Sequence, residues 1–450
     1  MTTESQEHRL EFLDQTAFEM MRATGRGQLM QCVWVYEHPV DIEGLRRFHR
    51  NIAQSHGGRH IERSPLPFGR PRWVKPGHAP SEIQINETAR PRAELMDWAD
   101  ELGNLPIDPE HGPTWYLVVQ PLTDGSTAIS MVASHVIGDG TGAGLAIFEA
   151  VTDTVRDAGY DRPGARTRGQ ALAADTRQIV RDLPVTRKAL VKGAKLVWGK
   201  RKELAQSRKA RAGRQPIEEV VTVPSVAVVV DMAEWDARAE SLGGNSYSLL
   251  VGFTARVAQR LGRRRRSDGA VTLVIAINLR ESLEDDRALA MAFANATVDP
   301  EKVTVDLSEA RTVVREARQI AKEQTDPAME LLPLMPWLPK AAVKGVAELL
   351  FSYSEDLPVS CSNLGDLPPQ IAQVDGTTAE LVILRALDQN VTLQEMQRSH
   401  GQLVVVSARI NGKVTISIEA YEIGAENSKQ RLRDLAEATL TEFGLTAVIE

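Results

Sequence analysis

A histidine and an aspartate lie close together in the first third of the chain, as His135 and Asp139, with Gly140 directly after them. Imidazole is well suited to take up a proton near neutral pH, and a well-placed general base contributes roughly 10²–10⁴-fold to a rate. Gly138 and Gly140 flank Asp139, so we expect positive φ angles and a sharp turn that brings the two polar side chains together. The spacing favours proton transfer by His135, with Asp139 holding the turn or orienting the ring by pairing with a cation.

Two other interpretations of this motif compete with base catalysis. The segment could be an ordinary structural turn, although such a turn needs neither an aspartate between glycines nor the small residues at 141–144. A His-x-x-x-Asp pair could also bind zinc from one face of a helix. The glycines disfavour a helix, however, and no third ligand cluster lies nearby, so we expect no metal.

The elements around the motif indicate how it is positioned. An apolar run at 128–134 directly precedes it and predicts a strand that ends where the turn begins. Strand and helix patterns alternate along both halves of the chain, which predicts an α/β fold. A basic stretch separates the halves. We therefore expect an N-terminal lobe at 1–160 carrying the motif, a basic helical connector at 161–215 and a C-terminal lobe at 216–450.

The charge of the chain is unevenly distributed. The formal net charge is −7, but residues 161–215 contain 16 Lys and Arg against four Asp and Glu, a local +12 that leaves −19 for the remainder. Apolar residues at helical spacing among these cations predict a basic amphipathic helix at 186–209. Such a helix could lie on anionic lipid, attract the phosphates of an acyl thioester or be a solvated linker. Nucleic acid is a poor partner, because one tryptophan interleaves the charges and the remaining surface repels phosphate.

A second unusual segment, 329–339, is apolar but contains three prolines, which forbid a regular helix or a central strand. It could line an acyl-chain tunnel, dip into a membrane surface or cover the core as a loop.

Length and composition are those of an ordinary globular chain. Its 450 residues are 42% hydrophobic, which is enough for substantial cores. Cys32 and Cys361 are too few and too far apart for a disulfide framework, which fits a reducing cytosol. The polar N-terminus lacks the apolar core of a signal peptide, and no apolar run is long enough to span a membrane. We expect a cytoplasmic protein, with peripheral membrane contact through 186–209 or 329–339 as an alternative.

A serine at 246 lies in a second motif. The run Leu-Gly-Gly-Asn-Ser-Tyr-Ser-Leu-Leu at 242–250 resembles the serine-bearing motif of acyl and peptidyl carrier domains, in which Ser246 would carry a phosphopantetheine arm. The long β-rich run before it disagrees with the small helical bundle of a carrier domain. The simpler interpretation is that Gly243 and Gly244 close one helix and that Asn245 or Ser246 caps the next.

Five segments together make the chain resemble the H-x-x-x-D-G acyltransferase superfamily, which includes chloramphenicol acetyltransferase, peptide-synthetase condensation domains, polyketide-associated acyltransferases and wax ester synthase/diacylglycerol acyltransferases. They are the motif at 135–140, Asn245, the stretch Asn278 to Arg280, Asn295 and the segment 362–365. Wax synthase-type enzymes have a second histidine, an aspartate and a glycine where this chain has Ser134, Ser246 and Ala294. The resemblance is therefore stronger to the superfamily than to the wax synthase branch, although that branch and the polyketide-associated acyltransferases are the nearest members.

The resemblance implies two chloramphenicol-acetyltransferase-like lobes, each a mixed sheet with helices, that meet in a V with an active-site tunnel between them. His135 would then deprotonate an acceptor as it attacks a thioester carbonyl. Asp139 would be structural and paired with Arg280, with Arg385 and Arg409 as alternative partners. The candidates for substrate or oxyanion contacts are Asn363, Ser362, Asn245 and a backbone N–H near Gly140.

The same resemblance implies the substrates. The acyl donor would be acyl-CoA or a phosphopantetheinyl acyl carrier protein, which is a co-substrate rather than a bound cofactor. The acceptor would be an alcohol, giving an ester by direct attack without a covalent acyl-enzyme, and an amine acceptor is the nearest variant. From a different class, the chain could be a non-catalytic scaffold that binds an acyl thioester or a carrier protein, which the intact motif disfavours.

Overall fold

The first half of the chain forms strands and helices that alternate much as their apolar spacing predicts. A computed structural model describes residues 8–77, 80–199, 219–323, 329–339, 342–343 and 357–450. The elements of the first half are α1 (Phe12–Thr24), β1 (Gln28–Tyr36), α2 (Ile42–Gln54), β2 (His60–Glu62), β3 (Arg72–Val74), β4 (Gln84–Ile85), α3 (Leu95–Leu102), β5 (Trp115–Pro121), β6 (Thr127–Ser134), α4 (Gly140–Val151) and α5 (Arg168–Gly199).

The second half repeats this α/β alternation. Its elements are β7 (Ser225–Asp231), α6 (Met232–Ser241), α7 (Ser246–Arg260), β8 (Val271–Asn278), β9 (Met291–Val298), α8 (Ser308–Glu323), β10 (Val359–Asp366), β11 (Leu381–Asp388), α9 (Leu393–Arg398), β12 (Gln402–Ile410), β13 (Lys413–Tyr421), α10 (Lys429–Glu442) and β14 (Val448–Ile449).

Two mixed sheets organise these elements into two lobes. The first sheet has the order β11-β1-β6-β5-β4 and the second has the order β14-β7-β13-β12-β10-β8-β9, while β2 and β3 form a small separate pair. The predicted two-lobed mixed α/β architecture is confirmed. One strand is exchanged, because β11 comes from the second half yet pairs antiparallel with β1 along its whole length. The sequence prediction placed all of 216–450 in the second lobe and did not include this exchange.

Strand periodicity determines which residues of the second sheet are buried beneath its helices. In β8 and β10 every second side chain enters the core under α7 and α8, including Leu273, Ile275 and Cys361. Successive side chains of a strand point to opposite faces, so Ser360 and Ser362 lie on the other face of β10. This alternation separates the buried thiol of Cys361 from the polar residues that flank it.

The basic helix and the proline-containing apolar segment lie against each other. The basic helix α5 begins at Arg168, well before the predicted start at 186, and the predicted stretch 200–209 lies outside the described residues. Residues 329–337 form 3₁₀ turns that pack against α1 and α5, with Lys192 paired to Glu330. This packing favours a covering loop over a free membrane insertion loop. Among the described helices none is both long and apolar enough to cross a bilayer.

Candidate active site

His135 begins a single 3₁₀ turn, His135–Ile137, at the end of β6. The Ser134 hydroxyl accepts a hydrogen bond from the Val136 N–H at 3.3 Å, and the Gly138 N–H donates to the His135 carbonyl at 3.3 Å. The expected positive φ angles are wrong. Gly138 is extended with φ 179°, and Gly140 is the first residue of α4. The chain turns here because a short 3₁₀ turn joins a strand to a helix, and not through left-handed glycines.

Asp139 is the N-cap of α4 and the most heavily hydrogen-bonded residue of the motif. Its Oδ1 accepts from the Gly142 N–H at 2.8 Å, which is the N-cap bond expected of an aspartate. Arg280 Nη1 lies 2.6 Å from Oδ1 and 2.7 Å from Oδ2, and the Ala290 N–H donates to Oδ2 at 2.9 Å. Both members of this ion pair are buried, with side chains 4% exposed. Because these bonds occupy both carboxylate oxygens, Asp139 holds the turn and does not bond to the His135 ring.

Arg280 is thus the partner of Asp139, and the two alternative arginines lie elsewhere. Arg385 bonds to Asp100 and to Gln31. Arg409 bonds to Asp236 and Asp366 and to the hydroxyl of Ser246. Arg280 reaches the motif because it follows β8 by two residues, so the second lobe supplies the cation that fixes the turn of the first.

A segment of the second lobe, residues 286–290 between β8 and β9, also contacts the motif through backbone atoms. The Asp139 N–H donates to the Ala288 carbonyl at 3.0 Å, and Arg280 Nη2 donates to the Arg287 carbonyl at 2.7 Å. The Leu289 N–H donates to the buried Asp14 carboxylate of α1 at 3.0 Å. The turn is therefore fixed by both lobes, so its position depends on how the lobes meet.

A second buried arginine, Arg59, supports the turn and was not predicted from the sequence. Its Nε and Nη2 donate to the Ile137 carbonyl at 3.0 and 2.7 Å, while Nη1 donates to the Tyr160 hydroxyl and to the Asp286 carbonyl. The guanidinium lies 4.4 Å from the centroid of the Trp73 ring. A planar guanidinium can donate to several acceptors at once, which suits a carbonyl at the end of a 3₁₀ turn.

His135 itself is half-buried, and burial lowers its pKa below the ordinary value. A hydrogen bond to its own backbone carbonyl and the negative charges of Asp139 and Asp388 oppose this effect. Asp388 stands opposite Gln28 in the β1–β11 register, while Ser134 stands opposite Leu29, so Asp388 lies across one strand from the motif. The imidazole is therefore neutral at pH 7. One ring nitrogen donates to the carbonyl, and no hydrogen bond within the described part of the chain engages the other, which can therefore accept a proton.

The predicted contacts from β10 lie beside the motif. A Cβ built on Gly140 would be 2.6 Å from Leu364 Cδ2, so the segment 362–365 packs on the start of α4. The Asn363 Oδ1 accepts from the Gly365 N–H at 2.9 Å and fixes the bend after the strand. Ser362 is half-buried on the face opposite Cys361. Asn363 and Ser362 precede Leu364 in β10, so they stay candidate substrate contacts.

Asn245 is not brought to the motif by any hydrogen bond within the described part of the chain. It caps α7, with its Oδ1 accepting from the Ser248 N–H at 2.9 Å, and the Ser248 hydroxyl completes the capping box. The Ser246 hydroxyl bonds to Trp235 Nε1 at 3.0 Å and to Arg409 Nη1 at 2.8 Å. These bonds fix the interior of a large α/β lobe, which disagrees with a carrier-domain serine.

We predict that Gly140→Ala loosens the motif. The added methyl group would lie 2.6 Å from Leu364 Cδ2, so the end of this flexible side chain must move, at a cost of about 0.5–1.5 kcal/mol relative to the same change at Gly144. Gly144→Ala in the same helix is the control, because its Cβ finds only Ile371 at 3.8 Å, an ordinary contact. Urea unfolding checks the stability of both variants. Equal stability of the two would contradict the close contact, and adding Leu364→Ala should rescue Gly140→Ala.

Comparisons with known proteins identify the fold. No family model and no curated protein matches the sequence. Among solved structures, the first condensation domain of the CDA synthetase superimposes with TM-score 0.55 at 13% identity, covering 99% of this chain and 100% of that one. The wax ester synthase/diacylglycerol acyltransferase from Marinobacter aquaeolei VT8 gives 0.55 at 15% identity, with 97% and 98% covered. TRI3 trichothecene 15-O-acetyltransferase from Fusarium sporotrichioides gives 0.55 at 12% identity, with 97% and 94% covered.

These likenesses extend over nearly the whole of each chain. The fold of these structures is the one that the sequence resemblance implied from the motif at 135–140 and from the segments between Asn245 and residue 365. The chain therefore has the two-lobed fold of the condensation domains and of the acyltransferases related to them.

Proposed function

We propose that this protein transfers an acyl group from a thioester, carried by CoA or by an acyl carrier protein, to an alcohol. The observation that carries the proposal is a neutral, half-buried His135 in a turn that the buried Asp139–Arg280 pair holds rigid. A base needs a free acceptor nitrogen at the working pH, and a rigid turn keeps that nitrogen in place. A purely structural turn would need neither feature.

The proposed reaction proceeds by direct attack. The acceptor hydroxyl gives its proton to the free ring nitrogen of His135 while its oxygen bonds to the thioester carbonyl carbon. The tetrahedral intermediate then collapses, the C–S bond breaks, and the imidazolium returns the proton to the departing sulfur. Donors for the oxyanion come from the neighbourhood of Gly140, with Asn363 and Ser362 as candidates. The products are an ester and a free thiol.

A covalent acyl-enzyme is not part of this proposal. The Cys361 thiol is buried under α7, and burial raises its pKa to about 12, so it is a poor nucleophile. The Ser246 hydroxyl is engaged by Trp235 and Arg409. Intact-mass analysis during turnover should therefore show only the unmodified chain, and an acyl adduct on either residue would contradict direct attack.

Two structural neighbours support an oxygen acceptor. One is named a wax ester synthase/diacylglycerol acyltransferase and another a 15-O-acetyltransferase. The condensation domain among the neighbours makes an amine the nearest alternative acceptor. Incubating acyl-CoAs of several lengths with mixed alcohols and amines, read by mass spectrometry, tests the proposal against the scaffold alternative. Ester formation that is lost in His135→Ala supports catalysis, and thioester binding without turnover in any mixture favours a scaffold.

The pH profile gives a separate prediction. Burial lowers the pKa of His135, so the acidic limb of kcat/KM should have its midpoint below about 6.5, the value of an exposed histidine. Activity rises with pH through this limb, because only the neutral imidazole accepts a proton. Asp388→Asn removes a charge that raises the pKa of His135, so the limb should move to still lower pH. A limb that moves upward in this variant would contradict the assignment of His135 as base.

A further inference from the structure

Helix α5 presents an apolar stripe to solvent. At 100° per residue, Val180, Leu183, Leu190 and Val191 lie within an arc of about 100° on the helix surface. These four side chains are between 48% and 61% exposed. The opposite side of α5 faces the protein, where Gly193 lies against Leu334 of the 3₁₀ segment. The helix is thus anchored on one side, and among the residues that the structure describes its stripe stays about half-exposed.

A row of cations runs beside this stripe. Arg177, Arg181, Lys188 and Lys195 lie within about 40° of one another on the helix, adjacent to the apolar arc. All four are exposed, and in the described part of the chain no hydrogen bond or close ion pair joins them to another residue, although Lys188 lies near enough to Glu330 to lower the pKa of that carboxyl. The acidic residues of α5 point inward instead: Asp175 pairs with Arg9 and Arg166, and Asp182 pairs with Arg70. The outer surface of α5 therefore carries a row of cations that the acidic residues of this helix do not pair with.

An exposed aromatic pair lies next to the same helix. The rings of Phe68 and Trp337 stack with their centroids 4.9 Å apart, and these residues are 43% and 37% exposed. Both line a small cavity together with Thr186 of α5. Aromatic side chains at this kind of position are typical of proteins that contact the interfacial layer of a lipid bilayer.

We propose that α5 binds the surface of an anionic lipid bilayer, with its apolar stripe in the interfacial layer and its row of cations on the headgroups. Charge decides between this occupant and a second copy of the chain, because pairing two copies through this face would bring two rows of cations to one seam. Anionic headgroups neutralise the same row. The face spans residues 177–195, so it begins earlier along the chain than the segment 186–209 for which lipid contact was one interpretation. The proposal is independent of acyl transfer.

Co-sedimentation of the full chain with phosphatidylcholine vesicles, with and without phosphatidylglycerol, tests the proposal. We expect binding only to the anionic vesicles, weakened by salt. Arg181→Gln with Lys188→Gln should lower partitioning about 25-fold, since each cation near an anionic surface contributes about a fivefold factor. Leu183→Glu with Leu190→Glu should abolish binding.

Matched variants on α8 are the controls. Arg315→Gln and Ile320→Glu change an exposed cation and a 53% exposed apolar residue on another helix, and both should leave vesicle binding unchanged. Absence of binding by the unaltered chain, or equal losses in the α8 variants, would overturn the proposal. So would unchanged vesicle binding in the α5 variants accompanied by a change of oligomeric state in sedimentation velocity. None of these outcomes depends on acyl transfer.

Discussion

Replacement of His135 by alanine lowers kcat/KM for acyl transfer roughly 10²–10⁴-fold, the contribution of a well-placed general base. The loss arises because no other side chain described within the turn can accept the acceptor's proton: Asp139 is fully engaged with Arg280 and two backbone N–H groups. Product formation from the best acyl-CoA and alcohol pair, followed by mass spectrometry, gives the rate. Circular dichroism and the unfolding midpoint should change little, since the His135 side chain is only half-buried and does not bond to Asp139.

A second histidine variant separates chemistry from general damage. The His111 side chain is 72% exposed and lies beside Asp108 and Arg22, so His111→Ala should keep full activity. Activity of His135→Ala within a factor of a few of the unaltered enzyme would remove the base assignment. Equal losses in both variants would point to an indirect effect on folding.

Replacement of Arg280 by methionine destabilises the protein by about 3–5 kcal/mol, because it leaves the Asp139 carboxylate buried without its cation. The same change removes the contact that fixes the turn to the second lobe, so acyl-transfer activity should fall as well. Urea unfolding measures the loss of stability, and ester formation measures the loss of activity. Arg46→Met is the matched control. Both side chains of the Arg46–Glu43 pair are more than half-exposed, and such pairs contribute about 0–1 kcal/mol to the free energy of unfolding.

A double-mutant cycle identifies the source of the loss. Asp139→Asn with Arg280→Met removes the buried charge together with its partner, so the double variant should be more stable than the sum of the single losses predicts. Additive losses would show that the two residues do not interact. A loss for Arg280→Met as small as that for Arg46→Met would contradict the buried ion pair.

The pairing of Asp139 with Arg280 was implied by the resemblance to the acyltransferase superfamily, with Arg385 and Arg409 as alternatives, and the hydrogen bonds of the structure select Arg280. The apolar run at 128–134 does predict β6 to within one residue, and with it the place where the motif begins. Arg59 could not be predicted in this way. It lies between α2 and β2 in a stretch with no periodic pattern, and its partner is the backbone carbonyl of Ile137, which has no signature in the sequence.

The pairing of β11 was also beyond sequence reasoning. Residues 381–388 alternate too weakly to distinguish a strand from a short helix, and no local pattern tells a strand which sheet it will join. Only tertiary packing brings β11 beside β1. The role of Gly140 was predicted wrongly for a similar reason. The residue must be small because Leu364 lies directly beside it, and the φ angle of Gly140 does not require a glycine.

The exchanged strand also sets an order for assembly during synthesis. Until residue 388 has left the ribosome, β1 pairs with β6 on one side and has an open edge on the other. Val33 and Trp34 lie along this edge and have no neighbouring strand on that side until β11 is made. Open strand edges and late, distant pairings slow folding and invite association with other chains. The first sheet of this protein is therefore completed only by a segment that begins about 250 residues after the end of β6.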